Sequence, residues 1–502
     1  MRSRITTLLH KLEQHWLAIV IGAMLMVIVV DLAVGIGQSI WFDEGYSIML
    51  AQRPLHELVD LTKIDAHPPF YYVYLKTWGM TFGWSELSLR LSSIILAAAA
   101  VGVMAALVRR LLSVKASLTV LPFLVIAPFL ARYGYEVRMY ALILLLAAAG
   151  TYALVTAKAS GSKKWWLVYA LIVALSMYTL YMSIVIWIGH VIWLVYDDIA
   201  HKKNPLLQKQ WLFYMLAVAL FLPWIPDVIY QTQHSALPPY SGALNLPTLA
   251  NVVLMLTTYT SLSTSPLLAQ LAVIALVALL AWTLVRIWRR STKKQWQPFA
   301  LFLIILFMAV VSYMIFSMPL NVLEFVERYM VHVSIFFYAL IGMTIAVAYR
   351  QKFKVEAVML ATVTLGVFAY GIYALAVQGN YNFQRLQPTY GQTIRAAVGC
   401  DANTQVITAG AYPYIDMWYE FQGCNFMYFQ PQELTYVGGF APLNSLNTTK
   451  RIAQIGDVTS SRVVFIYFDD STDILKFDDG RYSLEKQLDY TGTHVQIYRK
   501  AS

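Results

Sequence analysis

Long apolar runs alternate with short polar ones over the first three quarters of the chain. Eleven of the runs are predicted to be spanning helices, at about 17–39, 88–110, 115–131, 138–157, 165–181, 183–198, 211–226, 266–288, 298–318, 328–349 and 355–377. The fifth and sixth are short and are joined by almost nothing, "YTLYMS". The first is too long for a cleavable signal peptide, and "SIWFDE" follows it where small residues would mark a cleavage site. After about residue 378 the pattern changes. Strand-like runs "TQVITAG", "SRVVFIYF" and "THVQIYRK" are interspersed with helix-like "YGQTIRAAVG" and "STDILKF". The expected fold is a polytopic α-helical membrane domain, residues 1–378, followed by a small α/β domain, residues 379–502.

Composition agrees with this pattern. The chain is 59% hydrophobic and only 13% charged, where soluble domains carry about 25% charged residues. Its formal charge of +10 would suit nucleic acid if the cations formed one patch. Instead they fall in short clusters between the apolar runs, as a topology signal does. Arg2, Arg4 and Lys11 precede the first helix, and Arg109, Arg110 and Lys115 follow the second. Further clusters follow the fourth, sixth, eighth and tenth. All lie on one side of an eleven-helix arrangement, which the positive-inside rule makes cytoplasmic. The N-terminus is then cytoplasmic, and the C-terminal domain lies outside the plasma membrane. Both cysteines, Cys400 and Cys424, lie in that domain; a disulfide and two buried thiols are both open.

Two exterior loops are long. In the first, about 40–87, "EGYSIMLAQ" and "PLHELVDLTK" are expected as amphipathic helices lying on the membrane surface. The second, about 227–265, contains "QTQHSALPPYSG" and is expected to be mobile.

Four clusters of ionisable residues fall at the exterior ends of these helices. "SIWFDEGYS" carries Asp43 and Glu44, and "KIDAHPPFYYVY" carries Asp65 and His67 ahead of Pro68 and Pro69. "ARYGYEVRMYAL" carries Arg132, Glu136, Arg138 and Tyr140. "LNVLEFVERYMVH" carries Glu324, Glu327, Arg328, Tyr329 and His332. Unpaired charge at the bilayer edge costs several kcal/mol, so such groups face a cavity or a partner. A carboxylate can take a proton from a hydroxyl, and arginine can hold phosphate as a bidentate fork. The combination suits sugar transfer from a polyprenyl phosphate. No nucleotide-binding glycine loop is present, and a lipid-linked donor needs none.

"WFDEGYS", "DAHPPFYY", "YEVRMYAL", "FLPWIP" and "ERYMV" resemble, in content and order, the bacterial branch of the GT-C glycosyltransferases of family 39. That family is protein O-mannosyltransferase-like or aminoarabinose-transferase-like, and the likeness covers most of residues 17–350. The resemblance implies the GT-C fold and an inverting transferase with a polyprenyl-phosphate donor. By the resemblance Asp43 is the base, and Glu44 shapes the site or binds a metal. Arg138 and Arg328 face the donor phosphate, while Glu136, Tyr140, Glu327 and Tyr329 support the site or touch substrate. His67 stands where the aminoarabinose-transferring branch has lysine. It can bind phosphate when protonated, or with Asp65 hold a divalent metal, Mg or Mn, when neutral. The partners expected are the donor, membrane lipids and an envelope acceptor that is a glycan, lipid or protein, with no nucleic acid.

Two other function classes compete. A flippase or transporter for a lipid-linked substrate would place its polar groups at mid-membrane, where only Asp31 stands. A non-catalytic envelope assembly protein would not need the Asp-Glu pair. Among the remaining polar residues, Asp31 is expected as a paired structural acid, His190 and His332 as satisfied helix histidines, and Asp197–Asp198 as a solvated flank.

Overall fold

The computed structural model describes residues 13–36, 38–234, 246–317, 327–377 and 390–501. The chain folds into two compact units. The first comprises Met1–Gly35, Arg90–Ile225 and Leu237–Gln378; the second comprises Ile36–Leu89, Pro226–Ala236 and Gly379–Ser502. Residues 40–87, grouped by sequence with the membrane helices, therefore belong to the second unit.

The first unit is helical. Among the described residues nine helices are long and apolar enough to cross a bilayer. Val114–Val125 and Pro128–Gly134 form a further, broken crossing bent by 67°. The fifth expected helix is the 15-residue Lys163–Met177, so all eleven expectations fall on helices. The break has a local cause. Pro128 lacks an N–H and disfavours helical geometry in the residue before it, and Ala127 is extended at φ −68° and ψ 114°. Helices that are apolar all round go to the middle of the bundle, and Val331–Arg350 is 89% buried. It packs on Val114–Val125 at Gly342, where a Cβ would sit 2.6 Å from the Val120 backbone. Trp16–Gly35 is only 22% buried and exposes Leu17, Ile21, Leu25 and Val29 along one face. Such a stripe suits lipid and is rare on soluble proteins. The protein is a multi-pass membrane protein.

Asp31 departs from the expected pairing. It is buried against Ala97, Ala100 and Ala131, side chains that offer no donor. Among the described residues its Oδ2 has no hydrogen-bond partner. A Cβ on Gly134 would collide with that carboxylate. Asp197 and Asp198 are likewise not a solvated flank. Both are buried, with Lys158 Nζ 3.1 and 2.5 Å away. Gln297 donates to Asp197 and Gln210 to Asp198. His190 is satisfied by Thr151 and Tyr169. The loop about 227–265 carries two helices, Ile225–His234 and Leu246–Thr258, and residues 235–245 between them, with most of the stretch expected to be mobile, lie outside the described residues. Tyr240 lies outside the described residues.

The second unit is built on a six-stranded sheet: β1 (Thr404–Ala409), β2 (Asn425–Phe429), β3 (Arg451–Ile452), β4 (Arg462–Phe468), β5 (Tyr482–Tyr490) and β6 (Thr493–Lys500). The order is β3-β2-β1-β4-β6-β5. The first four are parallel, with Val406 beside Val464, while β6 runs antiparallel to β4 and pairs with β5 in a hairpin. β1 is buried at every position and β4 at most of its positions, so both faces of these central strands are covered. β5, with Glu485 and Lys486, is the exposed and charged edge. "STDILKF" forms no helix; it is the irregular connection from β4 to β5. Cys400 and Cys424 are disulfide-bonded at the amino ends of β1 and β2.

The Phe42–Ala51 and Leu55–Lys63 helices form as expected, but the first does not lie on a surface. Every residue from Trp41 to Ala51 is buried except Asp43. The reason is its packing on the Ala411–Trp418 helix of the sheet domain. Gly45 permits that approach, since a Cβ there would sit 2.6 Å from the Ile415 carbonyl oxygen.

Candidate active site

The residues predicted to carry chemistry form one group in each unit. In the second unit, the Phe42–Ala51 helix sets the Asp-Glu pair in its first turn. Trp41 precedes the helix in extended conformation, and its backbone N–H donates to Glu44 Oε2 at 3.5 Å; the indole has no acceptor with which to return the contact. Glu44 is 1% exposed and serves the helix end. Asp43 stays half-exposed at the same turn, where the helix dipole favours an anion. Its carbonyl oxygen accepts from Ser47 Oγ at 2.8 Å. The turn is anchored from outside by Asp416, which accepts the Phe42 N–H at 2.8 Å, and by Tyr412, on which the Phe42 ring stacks.

The second acidic motif is tied to the same helix through aromatic rings. Pro68 and Pro69 end the preceding turn and start the Phe70–Phe82 helix, which buries Tyr71 and Tyr72. The Tyr72 ring meets Tyr46 edge-on at 6.0 Å, and its hydroxyl lies 3.5 Å from Asp65 Oδ2. His67 Nδ1 is 3.8 Å from the same oxygen. Asp65 is buried and His67 is partly open. The Ile64 carbonyl beside them accepts from Gly438 N–H at 2.8 Å, and the Thr62 carbonyl accepts from Gln231 at 2.7 Å. Loop 40–87 is thus stitched to both other segments of its unit.

Asp65 and His67 stand together, but Glu44 is committed to the helix cap. Among the described residues no three or more His, Cys, Asp or Glu side chains gather as a metal would require from protein ligands alone.

In the first unit the chain between Pro128–Gly134 and Tyr140–Ser160 makes a tight turn, with Arg138 N–H donating to the Glu136 carbonyl at 2.7 Å. Arg132 Nη1 donates to Glu136 Oε2 at 2.7 Å, and both side chains are buried. The Arg132 guanidinium also lies 5.3 Å from the rings of Tyr133 and Tyr135, and Arg90 covers Tyr135 at 5.2 Å. Ser93 Oγ donates to the Glu136 carbonyl. Glu136 is therefore the counter-ion of Arg132, fixed from both ends. Tyr140 packs edge-on to Tyr133 at 5.1 Å. Arg138 is buried in the same turn, 4% exposed. Arg328 lies half-buried in a single turn, Glu327–Met330, ahead of Val331–Arg350. The side chains of Glu327 and Tyr329, and all of Glu324, lie outside the described residues.

Sequence reasoning missed Arg90, Asp416 and Tyr412. Arg90 had a signal, as a lone cation opening an apolar helix. Asp416 and Tyr412 had none, because only the tertiary fold brings them to Phe42.

Comparison with known proteins agrees with this architecture. Residues 66–226 match the family described as dolichyl-phosphate-mannose-protein mannosyltransferase. No curated protein matches the chain in sequence. ArnT from Cupriavidus metallidurans in the apo state superposes with a TM-score of 0.59 at 12% identity, covering 96% of this chain and 98% of that one. The same protein bound to undecaprenyl phosphate gives 0.58 at 11% identity over the same shares.

Proposed function

We infer that this chain is a GT-C glycosyltransferase that moves a monosaccharide from a polyprenyl-phosphate carrier to an envelope acceptor outside the cytoplasm. The observation that carries this reading is the division of labour in the first turn of Phe42–Ala51. Glu44 is buried in the helix cap, whereas Asp43 is the one residue from Trp41 to Ala51 left accessible. A carboxylate held in a helix's first turn, on a residue that is only partly buried, is what a base for an acceptor hydroxyl requires.

In this reading Asp43 takes the hydroxyl proton as the acceptor oxygen attacks the anomeric carbon. The bond from that carbon to the phosphate oxygen breaks, and its electron pair leaves with the polyprenyl phosphate. Configuration at the anomeric carbon inverts. Arg138 and Arg328 hold the phosphate as charge builds on it, and His67 can bind phosphate when protonated. Support for the carrier class comes from the fold shared with an ArnT that was solved with undecaprenyl phosphate. The basic clusters support a cytoplasmic N-terminus, and the Cys400–Cys424 disulfide suits an oxidising exterior.

The test is transfer in vitro from a synthetic polyprenyl-phosphate mannose, and from other carrier-linked sugars, to envelope extracts. Asp43→Asn should abolish transfer while donor binding persists. Unchanged turnover in that variant would remove Asp43 as the base.

A further inference from the structure

The sheet of the second unit reverses its winding direction at β1. From β1 the chain moves outward to β2 and β3, then crosses back to β4 on the other side. In open sheets with parallel strands, the crevice beyond the carboxyl ends of the strands at such a reversal is where ligands bind. A cavity of about 400 Å³ lies there, lined by the segments that follow β1, β2 and β4. Its size is that of a small-ligand site. The strand-to-helix turn at its floor is Gly410, with φ +85°, a conformation that residues with a Cβ rarely adopt.

The lining indicates the ligand. Aromatic surface comes from Tyr412, Phe440 and Phe468, and hydrogen-bonding groups come from Asp470, Ser471, Thr472 and Asp473. Gln430 Nε2 holds Asp473 Oδ2 at 3.1 Å. Oδ1 of that fixed carboxylate takes no hydrogen bond among the described residues, so it can accept from a ligand hydroxyl or ammonium. Two carboxylates and no lining cation disfavour phosphate, sulfate and uronate. Apolar ring surface beside fixed acceptors and hydroxyls suits a sugar, which presents C–H faces and many O–H donors.

We propose that this crevice binds a neutral or amino-bearing saccharide, as a docking site for the glycan part of the acceptor. The proposal rests on the transferase reading only for the word acceptor. Its link to the chemistry is short. Tyr412, in the lining, stacks on Phe42, the residue before Asp43. An occupant of the crevice therefore touches the support of the Asp43 turn.

The test is calorimetric titration of the full-length protein in detergent with three probes: maltotetraose, a glucosamine tetramer and tetragalacturonate. The Asp43→Asn protein serves as the reference in which binding is read without turnover. The neutral or amino-bearing tetramer should bind, and tetragalacturonate should bind at least tenfold more weakly or not at all. Asp470→Asn with Asp473→Asn should weaken the bound tetramer at least tenfold and reduce the discrimination against tetragalacturonate. Absence of binding by all three, strongest binding of tetragalacturonate, or unchanged affinity in the double variant would each overturn the proposal. Loss of transfer in Asp43→Asn without any saccharide binding would sink the crevice alone, whereas saccharide binding with full transfer in Asp43→Asn would sink the base assignment alone.

Discussion

The ring of Phe42 lies flat on that of Tyr412, with centroids 4.4 Å apart and planes 8° from parallel. The two residues are far apart in sequence, and the contact joins loop 40–87 to the sheet domain. One helical turn away, the Phe42 N–H donates to Asp416 Oδ1 at 2.8 Å. The Asp43 turn is therefore held by residues of a domain that the sequence marked as a separate tail.

The Asp416 anchor should be measurable. Asp416→Ala leaves the buried Phe42 N–H without its acceptor, a loss of about 1–3 kcal/mol. Transfer should fall through kcat, with the donor KM little changed, because the base is displaced and the donor contacts are not. Thermal unfolding and steady-state kinetics check the two halves. A purely structural role would lower Tm without that kinetic split.

Asp43 and Glu44 should separate cleanly. Asp43→Asn should keep the fold and lose transfer. Glu44→Ala removes the acceptor that faces the Trp41 N–H and should cost about 1 kcal/mol of stability, with partial transfer retained. Equal losses of transfer in Asp43→Asn and Glu44→Gln would contradict the division of roles.

The Arg132–Glu136 pair is buried, so its two halves depend on each other. Glu136→Ala should destabilise by about 3–5 kcal/mol, since it strands a buried guanidinium. Replacing both residues with apolar ones should cost much less. A melting series of the two single variants and the double variant in detergent reads the coupling.

His494 gives the C-terminal domain a pH signature. Asp489, at 2.6 Å from Nδ1, and then Asp469, at 2.8 Å from Nε2, raise its pKa above the ordinary 6.5. A group raised on folding stabilises fully below its ordinary value and loses that contribution as pH climbs through the folded value. Asp489 is shifted the other way, held below 3.8 chiefly by His494, so its share is lost on acidification. Domain melting should therefore be highest in the mildly acidic range and decline towards alkaline pH. His494→Gln should flatten that decline, and an unaltered profile would count against the pairing.

Reduction of Cys400–Cys424 is the simplest test of the same domain. The bond closes a segment with a sequence separation of 24, for which loop entropy gives about 3 kcal/mol. Melting under reductant, or of Cys400→Ser with Cys424→Ser, should show a clear fall in Tm.

Much of this molecule was legible from residue order because a bilayer imposes a strict local code. Every spanning helix must carry its own run of apolar residues, and all eleven expected runs fall on helices, nine helices among the described residues being long and apolar enough to cross. The Asp-Glu pair and the His-Pro-Pro turn were visible for a similar reason, since charge beside an apolar run stands out. The sheet was half visible: β1, β4 and β6 are strongly patterned, but β5 carries charge on its exposed edge and gave no such sign.

What the sequence determined by itself is therefore whatever depends on neighbours along the chain: the helices, the disposition of charge and the candidate acids. Tertiary structure alone decided which of those acids is spent. Glu44 faces the Trp41 N–H at the helix start, Glu136 went to Arg132 and Asp197 to Lys158, while Asp43 as a residue is only partly buried. The physical reason is that a buried carboxylate must find a donor or counter-ion, and that partner is chosen by packing rather than by position in the chain.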